Sequence, residues 1–287
     1  MVLQSLINPF KVKKKPWQMF FTGFLYAAVG LLLAYLVFKD IAGILMVFLI
    51  VFATIPSLYV TIKNEEELDI QYGKEWFLLK EHGKVLIFLM FLFAGICTSL
   101  ALLYVVLPST ITSSVFQVQE KAIMNVNQNV MQGTITGNVA KFDLFIKIFI
   151  NNTKVLFFCL LFSFLYGIGS IFILTWNASV IATAMGSLIK TEIAKTASAM
   201  GWPLISSYVS VTAFSIVRYM THGVFEIAAY FVAGLAGGII SIALIKHNFQ
   251  DDKIFIDALD LILLSLGLLL VGSIVEVYVT PMLVASL

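Results

Sequence analysis

Arg218, His222 and Glu226 stand four residues apart and directly against Ile227–Ile245, 19 residues without a charge. Such groups are costly to dehydrate, so a guanidinium, an imidazole and a carboxylate at the border of an apolar helix imply a task. The three could pass protons, hold an ion or receive a lipid headgroup. They could also be an ion-paired corner that fixes how two helices leave the membrane. The helix dipole favours a carboxylate in a first turn and a cation in a last one. Gly223 interrupts the spacing, and Thr221 is of N-cap type. The pattern therefore predicts two helices joined by a tight turn at Thr221-His222-Gly223, with Arg218 closing one and Glu226 opening the next.

Glu276, four residues after Gly272, is a second carboxylate inside an apolar run. An acid at that depth must face protein and find a donor, and His222, Arg218 and Asn177 are the candidates. Beyond Glu226, Tyr230, Gly234 and Gly238 continue one helix face, with Gly237 beside them. Small residues four apart let a second helix approach closely. Enzyme signatures are absent. No HExxH is present, and His82 and His247 fall in loops, so no metal site is expected. No serine forms a nucleophile elbow, and there is no phosphate loop and no evident inverted repeat. No cofactor is implied.

The elements that must position these residues are membrane helices. Hydrophobic residues make up 60% of the 287 positions and charged ones 12%. A soluble domain of this size needs far more charged surface. The net charge of +2 gives no field for nucleic acid. Apolar runs of about 20 residues match a hydrocarbon core of roughly 30 Å. Cys97 and Cys159 both fall inside such runs and read as packed thiols.

Seven spans are expected, with one broken or re-entrant helix besides: an all-α, polytopic bundle. Lys11, Lys13, Lys14 and Lys15 put the N-terminus in the cytoplasm. Spans at about 17–38 and 41–62 form an N-terminal hairpin over residues 1–63. Residues 64–84 are a charged cytoplasmic linker, read as a solvated run. A third span, 85–107, stops at Pro108. Residues 108–152 then read as an extracytoplasmic helical insertion. In its last part Phe142, Phe145, Ile146, Phe149 and Ile150 oppose Asp143, Lys147 and Asn151, as in a helix lying in the interface plane. The fourth span is 154–176. The apolar stretch from Asn177 to Ile189 is too short to cross and reads as broken or re-entrant. Spans at 204–220, 224–245 and 255–279 complete the set and leave the C-terminus outside. This assignment keeps every lysine-rich loop on one side.

Four segments carry a family resemblance. His222-Gly223 with Glu226 and AGLAGG is one. Asn152 is the second, and LYGIGSIFILTWN ending at Asn177 the third. Ile274-Val275-Glu276 leading to Thr280-Pro281 is the fourth. Taken in chain order, over about 142–281, they resemble the stage II sporulation protein M family, also called DUF95. Thr221 stands where that family often has proline, and Ala178 where glycine usually follows the asparagine. The resemblance implies a membrane domain over 85–287 and, in sporulation members, a scaffold that positions cell-wall hydrolases. It implies no catalytic residues. The expectation is therefore a non-enzymatic scaffold in the cell membrane, with the lipid bilayer, membrane or envelope proteins and a second copy of the chain as partners. The alternative is a transporter or channel using Glu226 and Glu276 beside a broken helix at Asn177.

Overall fold

The computed structural model describes residues 16–72, 75–131, 138–166, 169–195, 202–245 and 252–285, and the described elements are helices throughout. They are α1 (Gln18–Val37), a 3-10 turn (Lys39–Ile41), α2 (Ala42–Tyr72), α3 (Glu75–Val106), α4 (Ser109–Val115), α5 (Gln117–Met131), α6 (Asn138–Tyr166), α7 (Ser170–Lys195), α8 (Trp202–Ile245), α9 (Asp252–Ile274), a π-helical turn (Val275–Val279) and α10 (Thr280–Ala285). Seven segments are long and apolar enough to cross a membrane: Gln18–Val37, Lys39–Ser57, Leu86–Val106, Lys141–Leu165, Ser170–Lys195, Ile205–Ser241 and Phe255–Ala285. Within lipid only helices and closed barrels satisfy every backbone group, and this chain of apolar helices is a multi-pass membrane protein.

The count of seven agrees with the sequence expectation, but the chain is divided differently. The run read as one span, 154–176, is broken. α6 ends at Tyr166 and α7 begins at Ser170. At Gly169 a Cβ would collide with the Phe162 carbonyl, so the backbone passes where only glycine fits. Ser163 Oγ accepts from Ser170 N at 3.3 Å and satisfies one of the free amides opening α7. The expected break at Asn177–Ile189 is absent. α7 runs unbroken through it for 26 residues, about 39 Å. Asn177 Nδ2 donates to the Ile173 carbonyl at 2.8 Å, so the side chain bonds within its own helix.

The tight turn expected at Thr221-His222-Gly223 is also absent. α8 is one helix of 44 residues, roughly 66 Å long. Thr221 Oγ1 does not cap a new helix. It donates back to the Val217 carbonyl at 2.5 Å. Without water to compete for its backbone groups, a glycine inside an apolar run does not break the helix. The amphipathic stretch 139–152 differs too: it is the first half of the crossing helix α6.

The sidedness changes with these boundaries. Lys190 Nζ donates to the carbonyls of Leu107 at 2.7 Å and Tyr104 at 3.4 Å. It thereby caps α3 where Pro108 ends it. Ser114 Oγ donates to Lys39 O at 3.1 Å. Lys190 thus shares the Pro108 end of the bundle with Lys39, the end opposite to the one the expected assignment gave it. The opposite face of α3 meets α1 closely: a Cβ on Gly23 or Gly95 would collide with the Leu92 or Phe20 carbonyl. The side chains of the charged segment at 64–84 lie outside the described residues.

Gly223 is buried in mid-helix, and a Cβ added there meets nothing within 4 Å. Gly223→Ala should therefore raise stability by about 0.5–1 kcal/mol. Thermal unfolding in detergent checks this. A glycine in a left-handed turn would instead lose stability on the same substitution.

Candidate functional site

α6 and α8 run side by side because small residues let them. A Cβ on Gly237 would lie 2.5 Å from the Leu160 carbonyl and 2.9 Å from Ser163 Cβ, and one on Gly234 2.7 Å from Ser170 Oγ. These glycines serve packing within the chain. Gly238 is buried beside them. α9 lies antiparallel on α8 at Gly272, where a Cβ would stand 3.0 Å from Glu226 Cγ.

That packing brings four side chains together. Asn152 Nδ2, on α6, donates to Glu226 Oε1 at 2.5 Å. The carboxyls of Glu226 and Glu276 lie next to each other, Glu226 on α8 and Glu276 on the π turn packed against it. His222 Nε2 lies 3.9 Å from Glu276 Oε1, and His222 Nδ1 lies 3.3 Å from Thr280 Oγ1. The chain of contacts joins α6, α8 and the segment from the π turn into α10. Glu276 sits on that turn. One added residue per turn rotates a side chain relative to a regular helix, and π turns are frequent at functional sites. The His222 side chain is 14% exposed and that of Glu276 30%.

The depth follows from helix rise. The Phe93 and Phe231 rings meet edge-on at 6.3 Å and set α3 and α8 level there. Leu107 lies about 21 Å further along α3, and Glu226 about 7 Å from Phe231 in the same direction. Glu226 is therefore roughly 13 Å below the end that carries Lys190. This is a carboxyl within the hydrocarbon layer, satisfied by protein.

Two expected members stand apart. Arg218 is exposed, with its guanidinium 5.9 Å from the Tyr219 ring centre. Asn177 is bonded to its own helix. Among the described residues, no three His, Cys, Asp or Glu side chains are grouped to hold a metal. Thr280 was legible only as part of the resemblance.

Sequence reasoning missed a second polar cluster near the Lys190 end. Tyr104 Oη donates to Glu120 Oε1 at 2.6 Å, and Lys190 Nζ lies 5.6 Å from the Tyr104 ring centre. Gln119, fully buried, donates to Gly43 O at 3.1 Å and to Ser179 Oγ at 3.3 Å. The α4–α5 corner is therefore seated in the bundle between α2 and α7. Val115-Phe116, two residues before Gln119-Glu120, was the available signal, since a solvated loop gains nothing from that pair.

The sequence profile of the stage II sporulation protein M family matches residues 84–281. The chain belongs to that family. Neither a curated protein nor a solved structure matches it. The matched region holds α6 to the π turn, and so the whole Asn152–Glu226–Glu276–His222 network of this stage II sporulation protein M family member. α1 and α2 precede it.

Asn152→Leu leaves the Glu226 carboxyl short of a donor in a low-dielectric site. It should cost about 1–2 kcal/mol. Glu226→Gln keeps an acceptor for Asn152 and gains a donor toward Glu276, and should cost less than about 1 kcal/mol. Unfolding by detergent titration measures both, and the reverse ranking would contradict the network.

Proposed function

We propose that this family member is a non-enzymatic integral membrane scaffold that organises partner membrane or envelope proteins. In this reading its N-terminus is cytoplasmic, and its C-terminus and the Lys190 end face outside. What carries the reading is α8. At roughly 66 Å it is more than twice the hydrocarbon thickness. Counted from Phe231, the level of Leu107 falls near residue 217 of α8, so its first four turns stand beyond the bundle's polar end. Ile205, Tyr208, Val209 and Ile216 are exposed there. An apolar helix surface held clear of the lipid is a surface for another protein. The polar network supports the same role, because its members bond one another and hold three helices in fixed register.

A transporter or channel is the second reading. The neighbouring carboxyls of Glu226 and Glu276, with Glu276 on a π turn, favour it. The broken helix on which that reading also leaned is absent, since α7 is continuous.

A photo-crosslinking residue at Val209 should give discrete adducts with other membrane or envelope proteins in cells. The same residue at Leu259, exposed on α9 within the lipid-facing run, should give none. An adduct of twice the chain's own mass would assign the surface to a second copy. In liposomes, wild type and Glu276→Gln should be equally silent in proton and cation flux. Flux that Glu276→Gln abolishes, with no protein adduct at Val209, would replace the scaffold by the transporter.

A further inference from the structure

Of the 18 basic Lys and Arg residues in this chain, Arg218 is the single arginine. Its side chain is exposed on α8, and its guanidinium stands 5.9 Å from the Tyr219 ring centre. Among the described residues it has no carboxylate partner. Glu226 is engaged by Asn152 and Glu276, and Glu276 lies against His222.

Its level in the bundle says what it meets. From the Phe93–Phe231 contact, Leu107 lies about 21 Å along α3 and Arg218 about 20 Å along α8. Arg218 is thus level with the end of α3, where Pro108 stops the helix and Lys190 caps it. Here the hydrocarbon gives way to headgroups. With no carboxylate partner among the described residues, a guanidinium exposed at this level has the lipid headgroups within its reach.

The choice of residue narrows the ligand. Lys39 and Lys190 share this end of the bundle, so a bare positive charge is available without arginine. Lys39 and Lys190 also lie over tyrosine rings, but a guanidinium adds a planar fork of donors that fits two phosphate oxygens at once. We propose that Arg218, backed by Tyr219, binds the phosphate of a phospholipid in the leaflet at the Lys190 end. Exposed Val279 and Met282 on the neighbouring C-terminal segment offer the acyl chains an apolar surface. This site does not depend on the scaffold reading: a transporter could carry it equally.

Because there is one arginine, guanidino-¹⁵N arginine labels a single site. Full-length protein in phosphatidylglycerol bilayers should show ¹⁵N–³¹P dipolar dephasing for an N···P separation of about 4 Å, as a bidentate hydrogen-bonded pair requires. Absence of dephasing overturns the proposal. The same protein in a phosphate-free glycolipid, with inorganic phosphate in the buffer, separates the sources of phosphate. No dephasing is expected there, and dephasing of equal size would assign the site to free phosphate instead. Native mass spectrometry after delipidation supplies the variants. Wild type should retain one phospholipid more than Arg218→Gln, and Arg218→Lys should retain it at least about fivefold less often than wild type. Equal retention in all three overturns the proposal, and the wild-type resonance measurement stands if a variant fails to fold.

Discussion

A carboxyl that cannot reach water must be satisfied by protein, and in this molecule that requirement fixes three helices at once. Glu226 has Asn152 on one side and Glu276 on the other, and His222 reaches Glu276 one turn away. Each partner comes from a different segment. Sliding α6 by one residue against α8 would move Asn152 by about 1.5 Å and turn it about 100° from Glu226. The glycine contacts two to three turns away set the same register, because Gly237 meets Leu160 and Ser163 only at one offset. Packing and polar satisfaction agree on a single arrangement. That agreement is what makes a buried polar network specify a structure rather than merely tolerate one.

The π turn belongs to the same constraint. α9 approaches α8 closely because Gly272 leaves room for Glu226 Cγ. One turn later the extra residue of Val275–Val279 places Glu276 beside Glu226 while Thr280 reaches His222. A widened turn costs regular hydrogen bonding, and here it buries two polar contacts that a regular helix would direct elsewhere.

What could be read in the sequence divides along the same physical line. Glu226 and Glu276 were legible because a carboxylate inside an apolar run is expensive and therefore informative. The seven crossings were legible from length and hydropathy. The boundaries were not, because glycine has no single meaning in a membrane. Gly223 looked like a turn and lies in unbroken helix, whereas Gly169 looked like ordinary span and lies at the break. The difference is tertiary: the Phe162 carbonyl crowds Gly169, and nothing approaches Gly223. Asn177 looked like a breaker because its amide can leave the helical ladder. In place it bonds to Ile173, four residues back. Once those two boundaries were misread, the lysine rule was applied to the wrong loops. Lys190 then seemed to belong with the N-terminal cluster, although it caps the far end of α3. Gln119 and Glu120 stayed hidden because the one local signal, apolar Val115-Phe116, is short and stands in a segment whose other residues are mostly polar.

The continuity of α8 gives these pieces a mechanical relation. Its exposed first turns, Arg218, the His222–Glu226 pair and the Gly234–Gly237 contact all lie on one hydrogen-bonded rod. The exposed turns Ile205–Ile216 are therefore continuous with the stretch that carries His222 and Glu226. The rod is pinned by α6 at Asn152 and Gly237 and by the C-terminal segment at Gly272 and Thr280. Above those points about half of its described side chains are exposed. A partner bound to the upper turns would therefore act on the part of α8 held least, while the polar network keeps the lower part in register. Gly223 lies between the two regimes, buried but with open space beside its Cα. It is the position at which a helix with no Cβ to obstruct it could bend without disturbing Glu226.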